Sequence, residues 1–202
     1  MADRAINLTK GRSLVLEKGI RRLTVNLEWE ENRRSTKTSE DFDIDLLVIE
    51  LDSQGKALSP DHLVFFNSIC ETANHELCDP EEAVVYSGDN QMGGGEGEAM
   101  NVFVSKINPE VSEIRFFANI YDAEGRNQEF SMMKNAAVKV YQDGKDVPSI
   151  VYDLTDDYSG DTFIHVATLK KVEGRVFKFI AEGNGNHDDL LTNLTGFGLR
   201  FK

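Results

Sequence analysis

Apolar and polar residues alternate through much of this chain. Leu23, Val25, Leu27 and Trp29 interleave with Arg22, Thr24, Asn26 and Glu28, which predicts a strand with one dry and one wet face. Ile114, Phe116, Ala118 and Ile120 repeat that pattern. The run from Ile44 to Leu51 is nearly continuous in apolar residues, as in a strand covered on both faces. Further short runs fall at 63–66, 83–86, 102–107, 136–141, 149–154, 162–169 and 176–181. Turn residues such as Ser53-Gln54-Gly55-Lys56, Glu124-Gly125 and Asp143-Gly144 separate several of them. Nine or ten strands this close together leave little room for crossover helices and predict an all-β sandwich or barrel. Helix signals are few. Asn108-Pro109-Glu110-Val111 predicts one short turn of helix. Residues 188–195 predict a short C-terminal helix stopped by Gly196. Residues 30–40 and 67–82 read as long loops, and no repeat or linker divides 1–202 into more than one domain.

Composition narrows the function. With 202 residues, 40% hydrophobic and 28% charged, the chain has an ordinary globular balance. No apolar run approaches the roughly 20 residues that span a bilayer, and the first ten residues lack the apolar core of a secretory signal. The expected location is therefore the cytoplasm, with Cys70 and Cys78 as free thiols. The net charge of −13, from 35 acidic and 22 basic residues, argues against nucleic acid and against an anionic membrane as direct partners.

The chemistry concentrates in two segments. In Ser87-Gly88-Asp89-Asn90-Gln91-Met92-Gly93-Gly94-Gly95-Glu96-Gly97-Glu98, four glycines in five positions let the backbone turn tightly and aim carbonyls inward. Asp89, Asn90, Glu96 and Glu98 add oxygen ligands. An oxygen-only set on a flexible loop suits calcium better than magnesium, which demands near-octahedral geometry, or zinc and copper, which favour nitrogen and sulfur. The segment is neither an EF-hand, since Gln91, Gly93 and Met100 occupy its ligand positions, nor a Walker loop, since no Gly-Lys-Ser/Thr follows. A solvated acidic hairpin explains its composition equally well. The second segment is Asp41-Phe42-Asp43-Ile44-Asp45. Residues two apart share a face of a strand, so its three carboxylates crowd together and call for a positive charge, from a cation or from a neighbouring Lys or Arg.

These segments, in order and with Glu28-Trp29-Glu30, Phe65-Phe66-Asn67-Ser68, residues 122–130, residues 152–157 and residues 177–185, resemble the TerD family of tellurium-resistance and stress-response proteins over almost the whole chain. The resemblance implies a β-sandwich that binds one or two calcium ions between the Asp-rich strand start and the Gly-rich loop. It implies the ligand set Asp43, Asp45, Asn67, Asp89, Asn90, Gly93, Gly95, Glu96, Gly97 and Glu98. It also implies resistance to tellurite and other chemical stress, with protein partners in larger assemblies at the inner membrane surface. No catalytic activity is attached to the family. The chain departs from the pattern at Gly94, Ala99 and Met100, where the family has acids, so one calcium site is expected to be weakened or lost.

Other chemistry is thinly represented. Cys70, His75 and Cys78 lack a fourth zinc ligand nearby. His165 lies in an alternating run and reads as structural. Asp153, Asp156 and Asp157 read as solvated turn carboxylates rather than an acid–base pair. Three functions follow: a calcium-dependent binding or scaffold module, a structural protein that has lost calcium dependence, and, least favoured, a metal-assisted hydrolase. Nothing in the sequence sets the oligomeric state or names the partner.

Overall fold

The computed structural model describes residues 5–31, 42–87, 97–154 and 158–200. Within them the chain forms two six-stranded sheets packed face to face. The first sheet runs β1-β10-β9-β3-β7-β6 and the second β2-β12-β11-β8-β4-β5. The strands are β1 (Ile6–Leu8), β2 (Ser13–Val15), β3 (Arg22–Glu31), β4 (Ile44–Leu51), β5 (Leu63–Val64), β6 (Val84–Tyr86), β7 (Glu98–Phe103), β8 (Glu113–Ile120), β9 (Met133–Gln142), β10 (Ile150–Asp153), β11 (Phe163–Glu173) and β12 (Val176–Asn186). Every pairing is antiparallel except β1 with β10.

The expected sandwich is present, and each of the ten runs read from the sequence overlaps a strand, although the run at 102–107 is shifted: its strand is β7 at 98–103 and 104–107 form a turn. The count of nine or ten is corrected to twelve. The two additions, β1 and β2, are three residues each, too short to display a period, and they form because each finds a sheet edge to complete. The turn at 108–111 is not a helix. The Val111 amide donates to the Asn108 carbonyl and the Glu110 amide to Asn108 Oδ1, closing a single side-chain-capped turn. The C-terminal helix is present as α2 (Leu190–Thr195), with Asp189 Oδ1 accepting the Thr192 amide at 2.7 Å and Gly196 at its end. A four-residue helix, α1 (Ala123–Arg126), was not evident from the sequence.

Burial explains the two hydropathy patterns. The alternating residues Leu23, Val25, Leu27 and Trp29 of β3 point between the sheets, with Phe116, Phe179 and Tyr152. All eight residues of β4 are buried. Ile44, Leu46 and Val48 face the inter-sheet core, whereas Leu47, Ile49 and Leu51 face a second cluster. There Leu194 of α2 and Leu199 of the C-terminal tail cover the outer face of the second sheet against Phe117 and Phe163. This cover is why β4 reads as continuous rather than alternating. Among the described residues, no helix is long and apolar enough to cross a membrane.

Candidate functional site

The site is built around the first residues of β4. Asp43 and Asp45 fall on the same, outer face, as their two-residue spacing dictates. Asp45 is nearly sealed, at 4% exposure, while Asp43 is half-buried. Register places Asp45 opposite Asn119 of β8, and Asn119 Nδ2 donates to Asp45 Oδ2 at 3.4 Å, a long contact for a carboxylate. A positive charge does accompany the acids: Arg126 Nη1 of α1 lies 3.8 Å from Asp43 Oδ2, and its guanidinium stacks over the Tyr121 ring. It approaches from a segment that the sequence reading had treated as a turn.

The Gly-rich segment and the Asp-rich strand start are physically joined. Glu98, the first residue of β7 in the opposite sheet, is fully buried, and its Oε2 accepts the Leu46 amide at 2.6 Å. The reason lies in strand length. The short strand β5 pairs with β4 only at Val48 and Ile49, so nothing in its ladder reaches the Leu46 amide. A carboxylate from the other sheet takes that place, a charge-assisted bond in a dry setting. Glu98, expected as a metal ligand, thus has a structural task at this point. Just before it, Gly97 adopts φ +64°, and a Cβ there would run into the Leu27 carbonyl, so the end of the glycine run is required by close backbone approach. Asp89, Asn90, Gly93, Gly95 and Glu96 lie outside the described residues. Ala99 and Met100 belong to β7, paired with Asn26 and Val25, and Met100 sits in the core. The missing acid at 100 is therefore a packing residue of a strand and not a gap in a loop.

Beside Asp45 opens a cleft of about 750 Å³. Asp45, Asn119 and Ile120 come from the ends of β4 and β8, Asp122 to Glu129 from the α1 turn, and His187 to Leu190 from the approach to α2. Six carboxylates line it: Asp45, Asp122, Glu124, Glu129, Asp188 and Asp189. Two of these hold structure: Glu129 Oε2 accepts the Gly160 amide at 2.6 Å, and Asp189 caps α2. The hydrogen bonds from Thr192 hold the Asp189 carboxyl below its ordinary range. The α1 turn has a strict shape. Asp122 and Asn127 flank it in left-handed backbone, and a side chain at Gly125 would collide with the Asp122 carboxylate. Phe66 forms part of the wall, and Asn67, an exposed turn residue, follows it beyond the end of β5. The structure thus places Asp43 and Asp45 at the start of β4 and bonds Glu98 to the neighbouring Leu46, whereas Gly97 lies against Leu27 and Asn67 follows β5. The cleft residues Asn119, Asp122, Gln128, Asp188 and Asp189 were not singled out by the sequence; the Asp–Asp pair opening the predicted helix at 188–195 was the available signal for the last two.

The remaining candidates separate from this site. Among the described residues Cys70, His75 and Cys78 do not converge on a common point. Cys70 and Cys78 are free, and burial pushes the Cys78 thiol up to about 11, with the Asp79 charge adding to it. His165 packs on Phe117 and shares a 2.9 Å hydrogen bond with Thr168 Oγ1. Burial holds it down to about 4, helped by the Arg115 charge, as for a neutral structural histidine. Asp153 is exposed at the end of β10, and Asp156 and Asp157 lie outside the described residues.

Comparison with known proteins bears on the family and the fold. The TerD domain model matches residues 4–197. The chain belongs to the TerD family. It is 36% identical over 200 residues to general stress protein 16U of Bacillus subtilis, covering 96% of this chain and 98% of that protein. It is 28% identical over 200 residues to tellurium resistance protein TerD of Serratia marcescens, covering 96% and 98% of the two chains. A solved structure of a TerD homologue from Streptomyces coelicolor matches with a TM-score of 0.65 at 17% identity, covering 90% of this chain and 99% of that one, which supports the fold. For this TerD-family chain, the family match spans both the strand start at Asp43 and Asp45 and the Gly-rich segment.

Proposed function

We propose that this chain is a calcium-dependent docking module of a cytoplasmic stress response, without catalytic activity of its own. The observation that carries the reading is the Glu98–Leu46 bond. It ties the end of the Gly-rich segment to the acidic start of β4, beside a cleft lined by six carboxylates. The donor chemistry fits the ion. In this reading the side-chain oxygens of Asp43, Asp45 and Asn67 join carbonyls of the glycine run as ligands, and no nitrogen or sulfur ligand belongs to the set. The remaining ligands are Asp89, Asn90, Glu96 and the carbonyls of Gly93, Gly95 and Gly97. Bound calcium would neutralise these acids and fix the Gly-rich segment against β4. Phe66 and Tyr121, exposed along the cleft, supply the apolar anchors that a protein partner needs. The names of the relatives, general stress protein and tellurium resistance protein, support chemical stress as the setting.

A second reading, assembly without calcium, draws support from Arg126, which already places a positive charge beside Asp43. A calcium titration of chelator-treated protein, followed by thermal unfolding with magnesium as control, separates the two. At 100 times its dissociation constant, calcium adds about 2.7 kcal/mol, or a shift of roughly 5–10 °C for a chain of this size. A flat response would favour the second reading.

A further inference from the structure

At the far end of β4 lies a group of polar side chains that the calcium reading leaves unused. Glu50 occurs in an otherwise apolar run and points to the inner face, where it is fully buried, at 0% exposure. Among the described residues, neither of its carboxylate oxygens has a hydrogen-bond donor. Its polar neighbour Asp79 is another acid, and two carboxyls can hydrogen-bond only through a shared proton. Burial first, then the charges of Asp79 and Glu81, push Glu50 up to about 9. An orphaned carboxylate costs several kcal/mol in such a place and is retained where something offsets it.

The surroundings are arranged as a metal's ligands and their supports are. One donor atom each from Glu50, His62 and Glu81 lie within 4.8 Å of one another. His62 Nε2 stands 3.2 Å from Glu81 Oε2, yet neither atom has an aligned hydrogen-bond partner. That spacing is the edge of a tetrahedron with zinc–ligand distances near 2 Å, roughly 3.3 Å. The other atom of each side chain is held from behind. Ser59 Oγ pairs with His62 Nδ1 at 2.8 Å, and Asn108 Nδ2 donates to Glu81 Oε1 at 2.7 Å. Such outer partners orient metal ligands and select the imidazole tautomer. Asp79 is anchored by the Val84 amide at 2.6 Å and sits alongside as a further carboxylate. Glu81, with its side chain 30% exposed, gives a route in from solvent.

We infer that Glu50, His62 and Glu81 form a zinc-class divalent metal site, which pins the turn before β5 and the loop before β6 to the inner face of β4. One nitrogen and two carboxylate oxygens match the three-protein-ligand zinc pattern, whereas calcium would want more oxygens and no imidazole. The site is separate from the candidate calcium site, since Glu50 lies five residues, roughly 17 Å, along β4 from Asp45 and on its opposite face.

The test is equilibrium dialysis of the full chain against zinc chloride in saturating calcium, with bound metal counted by mass spectrometry. One tightly bound equivalent is expected for the unmodified chain and for Asp45→Asn. At least tenfold weaker binding is expected for Glu50→Gln and for His62→Gln, with circular dichroism to confirm folding; if one variant fails to fold, the other carries the comparison. Cobalt in place of zinc should give a spectrum without a thiolate charge-transfer band. Absence of stoichiometric zinc, undiminished binding in folded Glu50→Gln or His62→Gln, or a thiolate band that assigns the metal to Cys70 and Cys78 would each overturn the inference.

Discussion

The two ends of β4 treat acids in opposite ways. At the first end, Asp43 and Asp45 meet an arginine, an asparagine amide and an open cleft. At the other, Glu50 is enclosed with two further carboxylates and one histidine, and no donor among the described residues reaches its oxygens. The difference lies in what each strand face meets. The outer face near Asp45 borders a cleft walled by the approach to α2, so the nearly sealed Asp45 has Asn119 and open space beside it. The inner face near Glu50 is roofed by the segment joining β5 to β6, so charge there needs a proton or a cation. Repeated acids at strand spacing are conspicuous in a sequence; a single acid within an apolar run is less so, yet carries the stronger physical demand.

Several substitutions would break or sharpen this contrast. The largest effect is expected at the joint between the sheets. Glu98→Ala orphans the buried Leu46 amide and removes a charge-assisted bond, a loss of about 3–5 kcal/mol in denaturant unfolding. Glu98→Gln, which keeps an acceptor, should lose about 1–2 kcal/mol. If Glu98→Ala unfolds like the unmodified chain, the bond does not hold the acidic end together.

The next effect belongs to neither end and serves as a control for acid experiments. His165 is neutral when folded, with its proton affinity lowered to about 4, whereas in the unfolded chain it takes a proton near 6.5. Stability from this residue is therefore complete above about pH 6.5 and is lost as the pH falls towards 4, by up to about 3 kcal/mol. Guanidinium midpoints measured between pH 7 and pH 4 should drop less steeply for His165→Gln. An unchanged slope would mean that other groups dominate the acid response.

The smallest effect concerns the arginine at the open end. Arg126→Ala breaks a partly exposed pair and should cost less than about 1 kcal/mol. Because Arg126 and calcium would compete for Asp43, the same change should tighten calcium binding roughly threefold, equivalent to about 0.7 kcal/mol. Weaker calcium binding in Arg126→Ala would show instead that the guanidinium supports the site.

The sandwich was legible in the sequence because ten strands carried either alternation or continuous apolarity, and β4 declared by its continuity that both faces are covered. What was hidden depended on contacts between distant segments. β1 and β2 are too short to show a period. The α1 turn follows from backbone conformation at Asp122 and Asn127 rather than from helix propensity. At the site, Asp43 and Asp45 were visible through their spacing. Glu98 was visible as an acid, but its bond to Leu46 arises from the brevity of β5, which no local pattern discloses. Met100 looked like a lost ligand because loop and strand cannot be divided by counting residues from a glycine run. The group around Glu50 draws on three separate stretches of chain, at 50, 62 and 79–81, and only the fold brings them together.

The central claim is that calcium belongs to the Asp45 end. The most direct measurement is isothermal titration of calcium into the chelator-treated unmodified chain, Asp45→Asn and Glu50→Gln, at one pH. The account predicts calcium binding in the unmodified chain and in Glu50→Gln, and at least tenfold weaker binding in Asp45→Asn, which keeps the side-chain shape but loses the charge. Equal binding in all three, or loss in Glu50→Gln alone, would contradict it.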